Sequence, residues 1–363
     1  MKQALSADIG ENAGGEIRSE PCPRCYLCQT VGEMLYEGMR DRLFGAPGEW
    51  NSRRCPNPDC GLLWLDPMPI EADIGKAYES YFTHTDSGAD TASAAEPQSP
   101  FYRSAATLAR SAYVAHRYGY GDGMGKRFRW LLALPIILSR IDCDGLDIPL
   151  RYLAVSRKGR MLDVGCGGGG LLKLAQELGW DAEGVDFDSQ AVDSVRRKGL
   201  TVHMGSLSDQ HYPAESFDLV LMSHVIEHIH DAVGTLTEIH RVLKSAGTLV
   251  IITPNADSWG HRHFDSSWFA LDPPRHLRIF NGQALASLAN HAGFTRTSVA
   301  STLRSTLIVF VQSPWIRKSG RGDLLRPPKR SEALYARAAT GAQQFMRIWK
   351  PLVAEELLLE ARK

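Results

Sequence analysis

Beyond Arg160 the chain alternates short apolar runs with longer amphipathic segments, a rhythm that confines it to βαβ units around a mainly parallel sheet. Strands are expected at Arg160–Val164, Asp181–Asp186, Thr201–Met204, Phe217–Met222 and Gly247–Thr253, and helices should begin near Leu171, Ser189, Ala232 and Asn281. Two runs compete to close the sheet: TLIVFV at Thr306–Val311 and ELLLEA at Glu356–Ala361. Periodicity alone does not separate them. The later run is the expected strand, which leaves residues of about 302–350 as a helical insertion.

The first of these strands, RMLDVG, runs into CGGGG and places Asp163, Gly165, Gly167 and Gly169 at alternating positions across a strand-to-helix turn. Glycine suits such a turn because a β-carbon would hold the backbone away from a ligand lying over it. Gly165, Gly167 and Gly170 also satisfy the dinucleotide pattern GxGxxG, so the glycines do not identify the ligand by themselves. Asp163 narrows the choice. It lies two residues before the first glycine, where nicotinamide-binding strands carry an apolar residue, and a carboxylate there suits a ligand bearing an ammonium group, as S-adenosylmethionine does. Asp186, the first aspartate of GVDFD and about twenty residues beyond the glycines, can accept hydrogen bonds from both ribose hydroxyls of either cofactor.

Five motifs in one order and spacing then carry a resemblance: LDVGCGGGG, GVDFD, SFDLVLMSHVIEH, RVLKSAGTLVIITPN and PRHLRIF with HAGF. Over roughly residues 160–299 the chain resembles the class I S-adenosylmethionine-dependent methyltransferases of the ubiquinone-biosynthesis and related small-molecule type. The resemblance implies a Rossmann-like, seven-stranded sheet with an antiparallel last strand, cofactor at the carboxyl ends of the strands, and methyl transfer. By position it implies Asp163 and the glycine turn at the methionyl part, Asp186 at the ribose, Ser206 and Leu207 at the adenine edge, and Ser223 with His224 near the sulfonium. At the adenine position, where the family often has an acidic residue, this chain has Ser206 followed by Leu207.

Five of the seven cysteines crowd between Cys22 and Cys60, the pattern of a metal site rather than of a disulfide framework. PCPRCYLCQT and CPNPDCGLLWLDPMP hold two close groups apart by a loop, as tetrahedral coordination of zinc by four thiolates requires. Cys25, Cys28, Cys55 and Cys60 are the expected ligands; Cys143 and Cys166 read as buried or incidental. The segment also resembles small zinc-binding domains that precede some methyltransferases acting on sugars and other small molecules. A module of this kind could shape a substrate entrance, but four thiolates leave no position open for chemistry, and a structural clip is expected.

The domain plan is therefore a polar N-terminus to residue 20, a zinc-binding module over 21–83, a linker and helical segment over 84–155, and a catalytic domain over 156–363. In the linker, WLLALPIILSR follows Lys126, Arg127 and Arg129. It reads either as a membrane-surface or lid segment or as a core helix broken at Pro135, and the core helix is expected. Lysine plus arginine equals aspartate plus glutamate at 41 each, so no net basic field favours nucleic acid. No apolar run approaches the roughly 20 residues of a membrane span and no secretion signal is visible, which reads as a cytoplasmic protein with, at most, peripheral membrane contact.

Methyl transfer to a hydroxyl or amine needs alignment and a proton acceptor. His224, Glu227 and His228 form one candidate group, and His261, His263 and His276 another, with His224 and His276 the expected bases. DPPRH at 272–276 departs from the DPPY signature of adenine N6-methyltransferases by position and by Arg275 in place of the aromatic. Trp259, Phe264 and Trp268 read as the apolar surface of a substrate lid. The expected acceptor is a small molecule: a sugar, a glycan precursor or a quinone-like ring. An RNA methyltransferase gripping RNA through the zinc module, and a non-catalytic protein that kept the fold, are the alternatives.

Overall fold

The computed structural model describes residues 15–79, 100–118, 126–138, 144, 147, 152–153 and 158–363. The N-terminal stretch to residue 14, the small-residue stretch 84–99, Cys143 and the side chains of Lys126, Arg127 and Arg129 lie outside the described residues.

In the N-terminal part, β1 (Ser19–Glu20) pairs with β5 (Met68–Pro69), while β2 (Glu33–Met39), β3 (Trp50–Arg54) and β4 (Leu63–Leu65) form an antiparallel meander. Two helices, α1 (Pro100–Tyr118) and α2 (Lys126–Leu138), then pack on each other through Ala112, Tyr113, Ala133 and Ile136. The expected break at Pro135 does not occur: α2 runs through it to Leu138. Phe128, Trp130 and Leu131 of α2 are exposed.

The catalytic-domain strands are β6 (Arg160–Val164), β7 (Asp181–Asp186), β8 (Thr201–Met204), β9 (Phe217–Ser223) and β10 (Leu243–Pro254), followed by β11 (Arg278–Ile279), β12 (Arg296–Thr302) and β13 (Glu356–Arg362). All but β11 join one sheet in the order β12-β13-β10-β9-β6-β7-β8, with β13 antiparallel to both neighbours. Helices α3 (Gly170–Glu177), α4 (Ser189–Arg197), α5 (Ala232–Val242) and α7 (Gly282–His291) start where the sequence places them; α6 (Trp259–Phe264) falls between the last two. Side-chain caps fix three of these starts: Asp188 accepts from Gln190 N, Asp231 from Gly234 N and Asn281 from Ala284 N. Glu356–Arg362 closes the sheet, as the second run of the pair requires, and TLIVFV belongs to helix α8 (Thr306–Ser319) of an insertion completed by α9 (Arg330–Met346). Strand β12 is an element the apolar runs do not announce.

Side chains alternate across the sheet, and both faces are buried. Met161, Leu219, Leu221, Val250, Ile252 and Leu358 pack with α3 and α4 residues on one side. On the other, Leu162, Val164, Val220, Met222, Ile251 and Leu359 belong to a core that continues without a break into Cys25, Trp50, Leu63, Trp64 and Met68 of the cysteine module. That continuity corrects the picture of an appended domain. The short β11 leaves the catalytic half to pair antiparallel with β4, making a four-stranded sheet β11-β4-β3-β2 shared by both parts. No helix among the described residues is long and apolar enough to cross a membrane.

Because β13 lies between two partners and Leu359 is fully buried, Leu359→Ala should cost about 2–5 kcal/mol in denaturant unfolding. A loss near zero would remove this segment from the centre of the sheet.

Candidate active site

The turn after β6 is built as the glycine spacing demands. Gly165, Gly167 and Gly169 have φ of 71°, 50° and 75°, the left-handed region that other residues adopt at a cost. A β-carbon on Gly165 would also lie 2.3 Å from Val225. Gly165 N donates to Val185 O at 2.8 Å, and Gly167 N donates to the Asp186 carboxylate at 2.8 Å, so the turn is strapped to the end of β7. The other Asp186 oxygen accepts from Asp188 N at 3.0 Å. Each oxygen keeps a lone pair for a ligand hydroxyl.

The Asp163 side chain is buried and makes no hydrogen bond among the described residues, although its backbone is paired in the sheet. Burial, then the charge of Asp186, pushes its carboxyl up to about 8. A buried acid without a partner beside a glycine turn fits the ammonium of a methionyl group, whose charge would restore the carboxylate. At the adenine-edge position Ser206 is not alone: Asp209 folds back to accept from Ser206 N at 2.8 Å and Ser206 Oγ at 2.7 Å, while Leu207 is buried. The acidic group missing from position 206 thus arrives three residues later, and the spacing SLSD is the signal that could have shown it.

At the carboxyl end of β9 the structure separates the candidate bases. His224, at φ 56°, places Nε2 2.9 Å from Glu356 and Nδ1 3.3 Å from Glu227. Burial works against its charge, yet the two carboxylates lift its pKa to about 9. Both His224 nitrogens are turned to carboxylates that favour the charged ring, an arrangement that leaves no free lone pair and speaks against the expected role as a base. Arg304 extends the network, 3.6 Å from Glu356 and 3.4 Å from Ser223 Oγ, so the serine expected near the sulfonium is already engaged. Glu227, fully buried, accepts from Thr253 Oγ1 at 3.0 Å; burial would raise its pKa, but His224 leads the groups that hold it down at about 2.

His228 and His276 meet with ring centroids 4.7 Å apart. His228 Nδ1 lies 2.9 Å from Arg275 O and 3.0 Å from Tyr78 Oη, and His276 Nδ1 lies 2.7 Å from Ala270 O. A carbonyl only accepts, so Nδ1 carries the proton in each ring and both Nε2 atoms keep a lone pair. Burial, and then any charge on His276, lowers His228 to about 4 and keeps it neutral. Donor atoms of Glu227, His228 and His276 fall within 4.8 Å of one another. The other two histidines are occupied elsewhere: His261 is buried between Ala256 O and Tyr36 Oη, and His263 bonds Tyr335 Oη. The lid expectation also changes. Phe264 and Trp268 are buried, Phe264 against Phe310 and Trp268 stacked on His261, so they are packing and not acceptor surface; only Trp259 stays partly exposed.

Cys25, Cys28, Cys55 and Cys60 bring their sulfurs within 4.8 Å of one another, with Cys25–Cys60 at 3.6 Å and Cys28–Cys55 at 3.4 Å. A tetrahedral ion about 2.3 Å from each sulfur holds them roughly 3.8 Å apart, so the cluster fits zinc. Cys22 is outside it, 3.9 Å from Arg24 O.

Residues that sequence reasoning missed join the module to the site. Arg275, fully buried, donates to Asp41 at 2.8 Å, to Asp272 at 3.0 Å and to Ala77 O at 3.0 Å. Tyr78 bonds His228 and packs edge-on against Phe187, beside Asp186, at 5.5 Å.

The clamp on His224 has a pH signature. Its pKa is raised from about 6.5 to about 9, so its contribution to stability is whole below pH 6.5 and is lost as pH rises through 9. In urea melts across pH 6–10, His224→Gln should flatten the alkaline fall of the wild type; parallel curves would show that the imidazolium contributes nothing.

The profile of the methyltransferase-domain family matches residues 141–299. The ubiquinone biosynthesis O-methyltransferase of Cereibacter sphaeroides is 35% identical over 125 residues, 33% of this chain and 49% of the relative. The malonyl-acyl-carrier-protein O-methyltransferase of Enterobacter lignolyticus is 28% identical, over 41% of this chain and 59% of the relative. The chain thus spans about half to three fifths of the length of these curated relatives. Among solved structures, an S-adenosylmethionine-dependent methyltransferase from Archaeoglobus fulgidus aligns with a TM-score of 0.42 at 19% identity, covering 64% of this chain and all of that one. Residues 141–299 belong to the methyltransferase-domain family, and the chain carries a class I S-adenosylmethionine-dependent methyltransferase domain.

Proposed function

We propose that this chain transfers the methyl group of S-adenosylmethionine to a small-molecule acceptor, with His276 taking the acceptor's proton and with the four cysteines holding a structural zinc ion. The observation that carries the reading is the placement of two unlike sites at neighbouring strand ends. The unpartnered Asp163 and the glycine turn lie at the end of β6, and two imidazoles with free Nε2 lone pairs lie beyond the end of β9.

S-adenosylmethionine supplies an electrophilic methyl group on sulfur. The chain's part is to align and to move a proton. Asp163 would hold the ammonium, Asp186 the ribose hydroxyls, and Ser206, Leu207 and Asp209 would border the adenine. Across the turn, Ala270 O fixes the His276 tautomer so that Nε2 can accept a proton from a hydroxyl or amine. His228, kept neutral by burial, lines the same space without adding a competing charge. Glu227 and Glu356 neutralise the fixed His224 imidazolium.

A small acceptor suits a chain whose charges balance, and the relatives named above are, by their names, O-methyltransferases of ubiquinone biosynthesis and of malonyl-acyl-carrier protein. For zinc, the support is the sulfur spacing and the small size of the module.

With S-adenosylmethionine labelled in the methyl group and a cell extract split into small molecules and RNA, label should enter the small-molecule fraction. Entry into RNA alone would favour the RNA reading. Asp186→Ala should weaken cofactor binding by about 1.5–3 kcal/mol in calorimetry, whereas His276→Gln should lower turnover by about 10² to 10⁴-fold with cofactor affinity nearly kept. Metal analysis should find one zinc per chain, lost in Cys25→Ser and Cys60→Ser but kept in Cys22→Ser; the reverse pattern would assign the wrong ligands.

A further inference from the structure

The two segments that carry the acceptor-side imidazoles, 226–231 and 272–279, are held chiefly by residues of the cysteine module. Tyr26, between Cys25 and Cys28, donates from its hydroxyl to Asp231 at 3.1 Å and accepts from Val233 N at 3.0 Å, at the start of α5. Its ring lies 4.0 Å beneath the guanidinium of Arg278. Arg278, buried and two residues beyond His276, donates to Ile229 O and His230 O at 2.9 Å each, just past His228. Three residues after Cys60, β4 begins, and it pairs with β11 and donates Leu65 N to Leu277 O at 3.1 Å. Leu277 N in turn donates to Glu227 O at 2.8 Å. Thus the cysteine knuckle reaches His228 through Tyr26 and His276 through β4, and Arg278 ties the two routes together.

The cofactor turn is anchored differently. Its hydrogen bonds run to Val185, Asp186 and Lys198, all within the parallel sheet and its helices. Tyr78 against Phe187 is the one ring contact that reaches it from the module among the described residues.

We propose that metal occupancy of the four-cysteine cluster gates the acceptor side and leaves cofactor binding in place: the ion fixes the Cys25–Cys28 knuckle, and Tyr26 and Arg278 pass that constraint to the His228 and His276 segments. The proposal rests on the reading of the cysteines as metal ligands given above. Arg278 and Tyr26 are positioning residues; neither is placed against the cofactor or the acceptor. With the ion gone, four free thiols no longer define one knuckle geometry, and the bonds to Asp231, Val233, Ile229 and His230 lose their common anchor.

The test uses the full chain, metal-loaded and after metal removal by a chelator under reducing conditions, with hydrogen exchange read by mass spectrometry and S-adenosylmethionine binding read by calorimetry. Metal removal should speed exchange about tenfold or more in peptides spanning 226–234 and 272–280. Peptides over β6, β7 and β9 should stay protected, and cofactor Kd should hold within about threefold. Arg278→Gln, which leaves the cysteines untouched, covers the case in which the metal-free chain unfolds: it should retain its metal and its cofactor affinity while the same two segments exchange faster. Unchanged exchange in those segments, in the metal-free chain or in metal-bound Arg278→Gln, would overturn the coupling. Loss of cofactor binding together with protection of the whole sheet in Arg278→Gln would overturn it too. A chain purified under reducing conditions that holds no metal would instead bring down the reading of the cysteines.

Discussion

A single arginine with no exposed surface determines how the two parts of this protein meet. Arg275 leaves the catalytic half on a loop and enters the module, where it finds Asp41, already accepting from Leu43 N, Phe44 N and Ala46 N. Asp272 takes the remaining side of the guanidinium, and the Phe44 ring lies 4.6 Å from it. Desolvating such a charge is costly, and removing one partner of a buried pair typically costs about 3–5 kcal/mol because the other is left uncompensated. The pair anchors the loop in the module, in a seat that brings His276 against His228.

From this seat the functional arrangement follows. The core on one face of the sheet runs on into the module, β11 crosses to β4, and Tyr78 bonds to the first of the two imidazoles. The catalytic half alone contains the glycine turn, whereas the segments carrying His228 and His276 are packed and hydrogen-bonded by residues from before position 80. Under the proposed function, the small N-terminal part would then form a wall of the acceptor site, a role that a freestanding clip would not have.

The parallel sheet was legible because its strands are buried apolar runs between glycine, asparagine and aspartate boundaries, and because Asp188, Asp231 and Asn281 are capping residues where helices begin. Strand β12 was hidden: TRTSVAST lies at the sheet edge, mostly outside the core, and has no apolar run. TLIVFV competed for the closing strand for the opposite reason, since a buried helix segment and a buried strand read alike over six residues. The glycine turn and its strap to Asp186 could be read locally, each residue lying within a short turn of its strand. The acceptor side could not. His224 turns one nitrogen to Glu227 within its own motif but the other to Glu356, 132 positions away, and Arg275 pairs with nearby Asp272 but also with Asp41, 234 positions away. The distant partner of each is one that no local motif contains.

The claim that the module and the catalytic half build one acceptor site through this buried pair is tested most directly by a double-mutant cycle on Asp41→Asn and Arg275→Met, read by denaturant unfolding of the full chain. The account predicts strong coupling: each single variant is destabilised by several kcal/mol, and the double variant recovers a large part of the loss, because neither charge is then left alone, so the coupling energy is about 2–3 kcal/mol. Effects that add within about 0.5 kcal/mol would contradict it and leave the two parts as neighbours that merely touch.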